Sequence, residues 1–168
     1  MRRIFIVNYQ KMRRRDREIT GFSKILDVLR RADTIRLGLN GDPYPYVVPL
    51  SFGYEAIGAN IIIYVHGAAE GLKHDLIARD NRVCVEADIL HRYADYGDGG
   101  ARSVTAEFES VIGFGTAEAV TGTEAEKGID LLLEHCGYPG FAYDKIALDA
   151  MVIYKFTLTS VTGKRRSL

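Results

Sequence analysis

Apolar and polar residues alternate with a period of two along six stretches of this chain, and that period constrains the fold more than any other feature. In Thr34 to Leu39 the apolar side is Ile35, Leu37 and Leu39. In Tyr46 to Tyr54 a bulky side (Val48, Leu50, Phe52, Tyr54) opposes a small one (Val47, Pro49, Ser51, Gly53). Ile61 to Val65, Arg82 to Ala87, Val104 to Val120 and Val152 to Leu158 complete the set. Turn formers join the first members: Asn40-Gly41-Asp42-Pro43, then Gly58 to Asn60. Alternating strands joined by short turns predict antiparallel pairing rather than parallel crossovers. Closing six such strands on themselves removes exposed edges, so the expected fold is mainly β with peripheral helices, a closed six-stranded antiparallel barrel. Pro49 lacks an N–H for a ladder, which predicts an edge or an irregularity there. Gly113 and Gly115 predict a bend or bulge in the longest strand.

Three segments switch to the helical period. Gly21 to Ala32 places Phe22, Ile25, Leu26 and Leu29 on one face. A short helix carries Leu72, Leu76 and Ile77 after a Gly/Ala-rich loop. Thr123 to Cys136 has a capping box, Thr123 with Glu126, a buried stripe of Ile129, Leu132, Leu133 and Cys136, and a stop at Gly137. A further short turn is expected near Tyr143 to Leu148, and Tyr93 to Ala101 reads as a glycine-rich loop.

Composition narrows the function classes. The 168 residues suit one domain, and 22 basic residues balance 22 acidic ones, so no overall field favours nucleic acid or acidic substrates. Cys84 and Cys136 lie far apart, which argues against a disulfide scaffold or a zinc site and for a cytoplasmic setting. No stretch approaches the ~20 apolar residues of a membrane span. Residues 1–11 read as a flexible extension, with Met12 as good a start, and 12–168 as a single domain.

The densest cluster of chemistry is His66-Gly67-Ala68-Ala69-Glu70-Gly71 with Lys73 two residues on. Small residues expose backbone N–H groups, a helix start adds a positive end, and Lys73 adds a full charge, which together make a phosphate seat. It lacks the spacing of a P-loop, and a tight strand-to-helix turn explains the same residues. His66 has no partner at triad spacing, and His66 with His74 lacks the further ligands of a metal site. The small side of Val47, Pro49, Ser51 and Gly53 can accept a planar ring, with Ser51 offering a hydroxyl, or can pack closely on another element. Glu109 to Gly115 is a third candidate, or a barrel corner. Arg13-Arg14-Arg15 and Lys164-Arg165-Arg166 read as solvated termini that could meet anions or RNA.

Five stretches taken together carry a resemblance: Met12 to Ile19, Arg36 to Leu39, Pro45 to Tyr54, Tyr64 to Ala68 with Gly71 and Lys73, and Ser110 to Gly115, with Thr162-Gly163-Lys164-Arg165 closing the chain. In order and spacing they resemble the pyridoxamine 5′-phosphate oxidase-like flavin-binding family, and within it the nitroimidazole-resistance branch. The resemblance implies a split β-barrel homodimer with FMN at the subunit interface. It implies that Val48, Pro49, Leu50 and Ser51 flank the flavin ring, that His66, Ala68 and Lys73 hold the phosphate region or line the adjacent pocket, that Ser110 and Val111 lie nearby, and that Arg165 reaches across from the second chain. His66 is its catalytic candidate, and the substrate a small, nitro-aromatic or quinone-like molecule. The chain lacks the arginine-leucine-x-proline ending of the vitamin B6 oxidases, ending instead in Arg165-Arg166-Ser167-Leu168. The alternative is a non-catalytic flavin, deazaflavin or haem binder of the same fold. No nucleic acid or membrane partner is expected.

Overall fold

The alternating stretches become seven strands of a single antiparallel sheet: β1 (Ile35–Leu39), β2 (Tyr46–Leu50), β3 (Gly53–Ile57), β4 (Asn60–Ala68), β5 (Arg82–Asp95), β6 (Val104–Val120) and β7 (Met151–Arg166). Helices α1 (Phe22–Arg31), α2 (Leu72–Arg79) and α3 (Gly122–His135) flank it. This computed structural model describes residues 12–97, 99, 103–144, 148 and 150–166, so the 1–11 extension and parts of the 93–101 loop and 143–148 turn lie outside the described residues. Within the described part of that loop, β5 continues as regular strand to Asp95.

The strand order is β2-β1-β5-β6-β7-β4-β3. Two expectations are corrected by it. The described residues form seven strands, because the single stretch Tyr46 to Tyr54 breaks at Ser51 and Phe52 into β2 and β3. The sheet is also not closed: β2 and β3 are its two free edges. These edges are nevertheless consecutive in the chain. A flat sheet of seven strands would hold its edges about 29 Å apart, whereas the link from Leu50 to Gly53 spans at most about 11 Å. The sheet therefore curls until its edges almost meet, with the fully buried Phe52 at the seam. Pro49 sits in edge strand β2, and β6 has its irregularity at Phe114/Gly115, both as expected.

Inside the curl lie Ile35, Leu37, Ile61, Ile63, Val65, Val85, Phe156 and Leu158. Helix α1 plugs this core with Ile25, Val28 and Leu29, while Phe22 stays partly exposed. Helix α3 lies on the other face of β3 and β4 through Ala125, Gly128, Ile129 and Leu132, and Cys136 is exposed rather than buried. It crosses β3 so closely that a Cβ on Gly53 would lie 2.5 Å from the Leu131 carbonyl carbon and nearer still to the Leu132 nitrogen. The expected capping box does not form: Thr121 is the N-cap and makes no side-chain cap bond, so Thr123 is already inside the helix.

Candidate functional site

The bend after β4 is built by local chemistry. Gly71 takes φ 128°, open to glycine and strained for other residues, and so turns the chain into α2. Leu76 and Ile77 anchor that helix in the core, which fixes the direction of its first turn. Lys73, in that turn, folds back over the strand it follows. A Cβ on Gly67 would lie 2.5 Å from Lys73 Nζ, so the absence of a side chain at residue 67 is what lets the ammonium rest there. Among the described residues no carboxylate comes within ion-pair distance of Lys73, and burial alone pushes its ammonium below the usual lysine range. The bend thus presents a half-buried positive charge, the backbone of Gly67 and Ala68, and the first turn of a helix. Such an arrangement is chemically able to receive an anion.

His66 and Ala68 are exposed beside it. No hydrogen bond among the described residues orients the His66 ring. His74, the next residue after Lys73, does have one: its Nδ1 is 2.8 Å from the hydroxyl of the buried Tyr154. The sequence reading weighed His74 only as a metal ligand. The signal for its actual role is tertiary, because Tyr154 lies 80 residues away on β7.

The end of β2 arrives at the same corner. The β3–β4 ladder ends with Gly53 opposite Tyr64; Ser51, in the link from β2, is two residues before Gly53, and His66 is two residues beyond Tyr64 on β4. Pro49 and Ser51 are exposed, whereas Val48 and Leu50 point inward and pack on the core, leaving mainly their backbone to face a ligand. Pro49 shares its row with Arg36 of β1 and Glu86 of β5. Arg36 bonds Glu86 at 3.0 Å and also Asp88, a charged cluster beside the small face that sequence reasoning did not single out. Alternation alone marks these three residues as sharing one outward side.

The remaining candidates lie elsewhere. Ser110 is partly exposed, Val111 is buried in the core, and Arg165 is exposed opposite Glu109, whose carboxylate is held by Arg31 at 2.6 Å and His91 at 3.1 Å. His66 pairs with Ile153 of β7, which pairs with Val120 of β6, nine residues along that strand from Val111. Nine steps are about 30 Å of strand. One chain therefore brings together His66, Ala68, Lys73 and the end of β2, and holds Ser110, Val111 and Arg165 apart from the Lys73 bend. The outward residues of the first part of β6, Val104, Ala106, Phe108, Ser110, Ile112 and Phe114, form a stripe in which Val104 and Ile112 are exposed, and Val47, Leu90 and Tyr93 are exposed large hydrophobics on β2 and β5.

Comparison with known proteins is consistent with this architecture. Residues 23–165 match the family model described as pyridoxamine 5′-phosphate oxidase. Among solved structures, a candidate 5-nitroimidazole antibiotic resistance protein from Bacteroides thetaiotaomicron is 26% identical, with a TM-score of 0.76 over 88% of this chain and 85% of that one. The flavocytochrome Anf3 from Azotobacter vinelandii is 18% identical, TM-score 0.76, over 95% and 73%. An FAD- and heme-binding protein from Mycobacterium smegmatis is 15% identical, TM-score 0.71, over 90% and 74%. No curated protein matches the chain.

Proposed function

This chain belongs to the pyridoxamine 5′-phosphate oxidase family, and from that footing we propose that it is a homodimeric FMN-binding oxidoreductase acting on a small organic acceptor, nitro-aromatic compounds included. The observation that carries this reading is the half-buried Lys73 ammonium, turned back over Gly67 with no carboxylate in reach among the described residues. A buried cation without an anion is costly, and a phosphate dianion offsets that cost. The residues fit the group: Lys73 and the Gly67–Ala68 backbone would hold the phosphate, and the small outward side of Pro49 and Ser51 with the backbone of Val48 and Leu50 would lie against the ring. The stripe on β6 supports a dimer, and in a dimer the partner's Ser110, Val111 and Arg165 would complete the site. A bound flavin would supply the redox chemistry. His66, exposed at the same corner, would donate a hydrogen bond or proton to the acceptor.

A second reading, a binder of flavin, deazaflavin or haem without turnover, draws on one observation: no side chain among the described residues orients the His66 ring as a general acid would need. Purified protein with a flavin absorbance spectrum, and FMN affinity reduced about tenfold or more in Lys73→Ala, are the results expected for the proposal. Colourless protein that takes up no added FMN would overturn both the site and the cofactor. Steady NAD(P)H oxidation dependent on bound flavin would eliminate the second reading, and His66→Ala should then lower turnover more than flavin retention.

A further inference from the structure

The two basic runs at opposite ends of the sequence meet in space, and of their residues only Arg165 has a part in the flavin site proposed above. A single 3-10 turn (Arg15–Arg17) is pinned to the end of β7 by the bond from Ile19 N–H to the Gly163 carbonyl, 2.9 Å, and by the Glu18–Lys164 bridge. Residues 13–18 and 164–166 hold seven cations and two carboxylates, a surplus of five in a chain whose formal net charge is zero. Asp16 is occupied by Arg14 at 2.5 Å, and Arg17, its side chain only 20% exposed, reaches the same carboxylate only at 4.0 Å. Burial, then the nearby Arg14, Arg166 and Arg13, hold the Arg17 guanidinium below its ordinary value. Arg166 in turn lies over the Tyr96 ring at 5.6 Å, and the Tyr96 hydroxyl donates to Glu107. Tyr93, further back along β5, is largely exposed.

Arg14 and Arg17 share the Asp16 carboxylate and Arg13 and Arg166 lie near Arg17, so cations outnumber carboxylates here and a further anion would be attracted. We propose that Arg13, Arg14, Arg17 and Arg166 form a binding site for a diphosphate group carried by a nucleotide. Planar guanidinium groups give paired N–H donors to each phosphate, and two phosphates present enough oxygens to engage several of them. Tyr96 is already packed against Arg166, and the exposed Tyr93 offers a ring face to a base. The site is distinct from the Lys73 bend: Val152, opposite Gly67, is fourteen residues from Arg166 along β7, about 46 Å of strand. Within one chain the two places are therefore well apart.

The test is calorimetric titration of the full-length, flavin-free chain with inorganic pyrophosphate, then with NADPH and with FAD, at two salt concentrations. Expected are binding of pyrophosphate that weakens with salt, tighter binding of at least one dinucleotide, and a loss of about tenfold or more in Arg17→Gln and in Arg166→Gln. The tighter dinucleotide identifies the source of the diphosphate. Arg14→Gln, at a more exposed position, supplies a variant that keeps the fold should Arg17→Gln disturb it, with unchanged melting temperature as the control. Pyrophosphate binding that is absent, or equal in wild type and all three variants, would overturn the proposal. So would tighter retention of a single-stranded RNA oligonucleotide than of either dinucleotide.

Discussion

Gly67 and Lys73 are a pair in which one residue's missing side chain makes room for the other's charge. A methyl at 67 would meet the flexible end of Lys73 rather than backbone, so the lysine can swing away. Gly67→Ala should therefore leave the melting temperature within a few degrees of wild type, since a flexible tip yields at little cost, while FMN affinity falls. Equal FMN affinity in a fluorescence titration would show that the ammonium is not where the phosphate binds. That pair was legible in the sequence as a Gly/Ala bend followed by lysine. The polar cluster under α3 was not. There the single Tyr64 hydroxyl proton faces Glu55 at 2.8 Å and Glu124 at 2.5 Å, with Lys127 2.6 Å from Glu55 and Lys155 3.4 Å from Glu124. Its members come from four elements, and a buried tyrosine in an apolar run gives no sign of what its oxygen meets. Tyr64→Phe removes that one donor while the two carboxylates keep their lysines, and should cost about 1–2 kcal/mol in denaturant unfolding.

Among the elements, β6 was read with its observed ends, and β1 and α3 to within a residue or two, because their periods are long or their turns explicit. The division of β2 from β3 escaped because alternation runs unbroken through Ser51 and Phe52. What separates the two strands is which neighbour each one pairs with, and period alone does not carry that information. Phe52 holds this corner: it is fully buried, and its ring lies 4.3 Å from that of His135 on α3. Phe52→Ala should destabilise by about 3–5 kcal/mol, measured by denaturant unfolding. The arm formed by β5 and β6 beyond the sheet body has an acid-sensitive clasp. Hydrogen bonds from Arg92 and then Tyr96 hold the Glu107 carboxyl at about 2. A depressed carboxylate pKa stabilises the fold above the ordinary carboxylate range, and that contribution is lost as pH falls toward about 2. Hydrogen exchange in residues 93–107 should accelerate over that interval, and Glu107→Gln should flatten the dependence. A profile identical in the variant would place the sensitivity elsewhere.

For the whole molecule, a mainly β architecture with two edges brought together was legible, and openness along the seam was not, since hairpin patterns are equally compatible with a closed cylinder. The proposed dimer would use the outer stripe of β6. Ile112→Arg places a charge on an exposed member of it and should shift the protein toward monomer in sedimentation velocity, with FMN retention falling in parallel. An unchanged sedimentation coefficient would remove this stripe from the interface.

Strand β7, which follows the other six in the chain, lies between β6 and β4, and every ladder bond joining β2-β1-β5-β6 to β4-β3 passes through it. During synthesis the earlier strands can assemble only as two incomplete ribbons, each with a bare margin waiting for the same late segment. A chain that terminates before residue 151 would be left with two sticky half-sheets instead of a slightly shortened protein. Premature release should therefore yield aggregates rather than a smaller folded species.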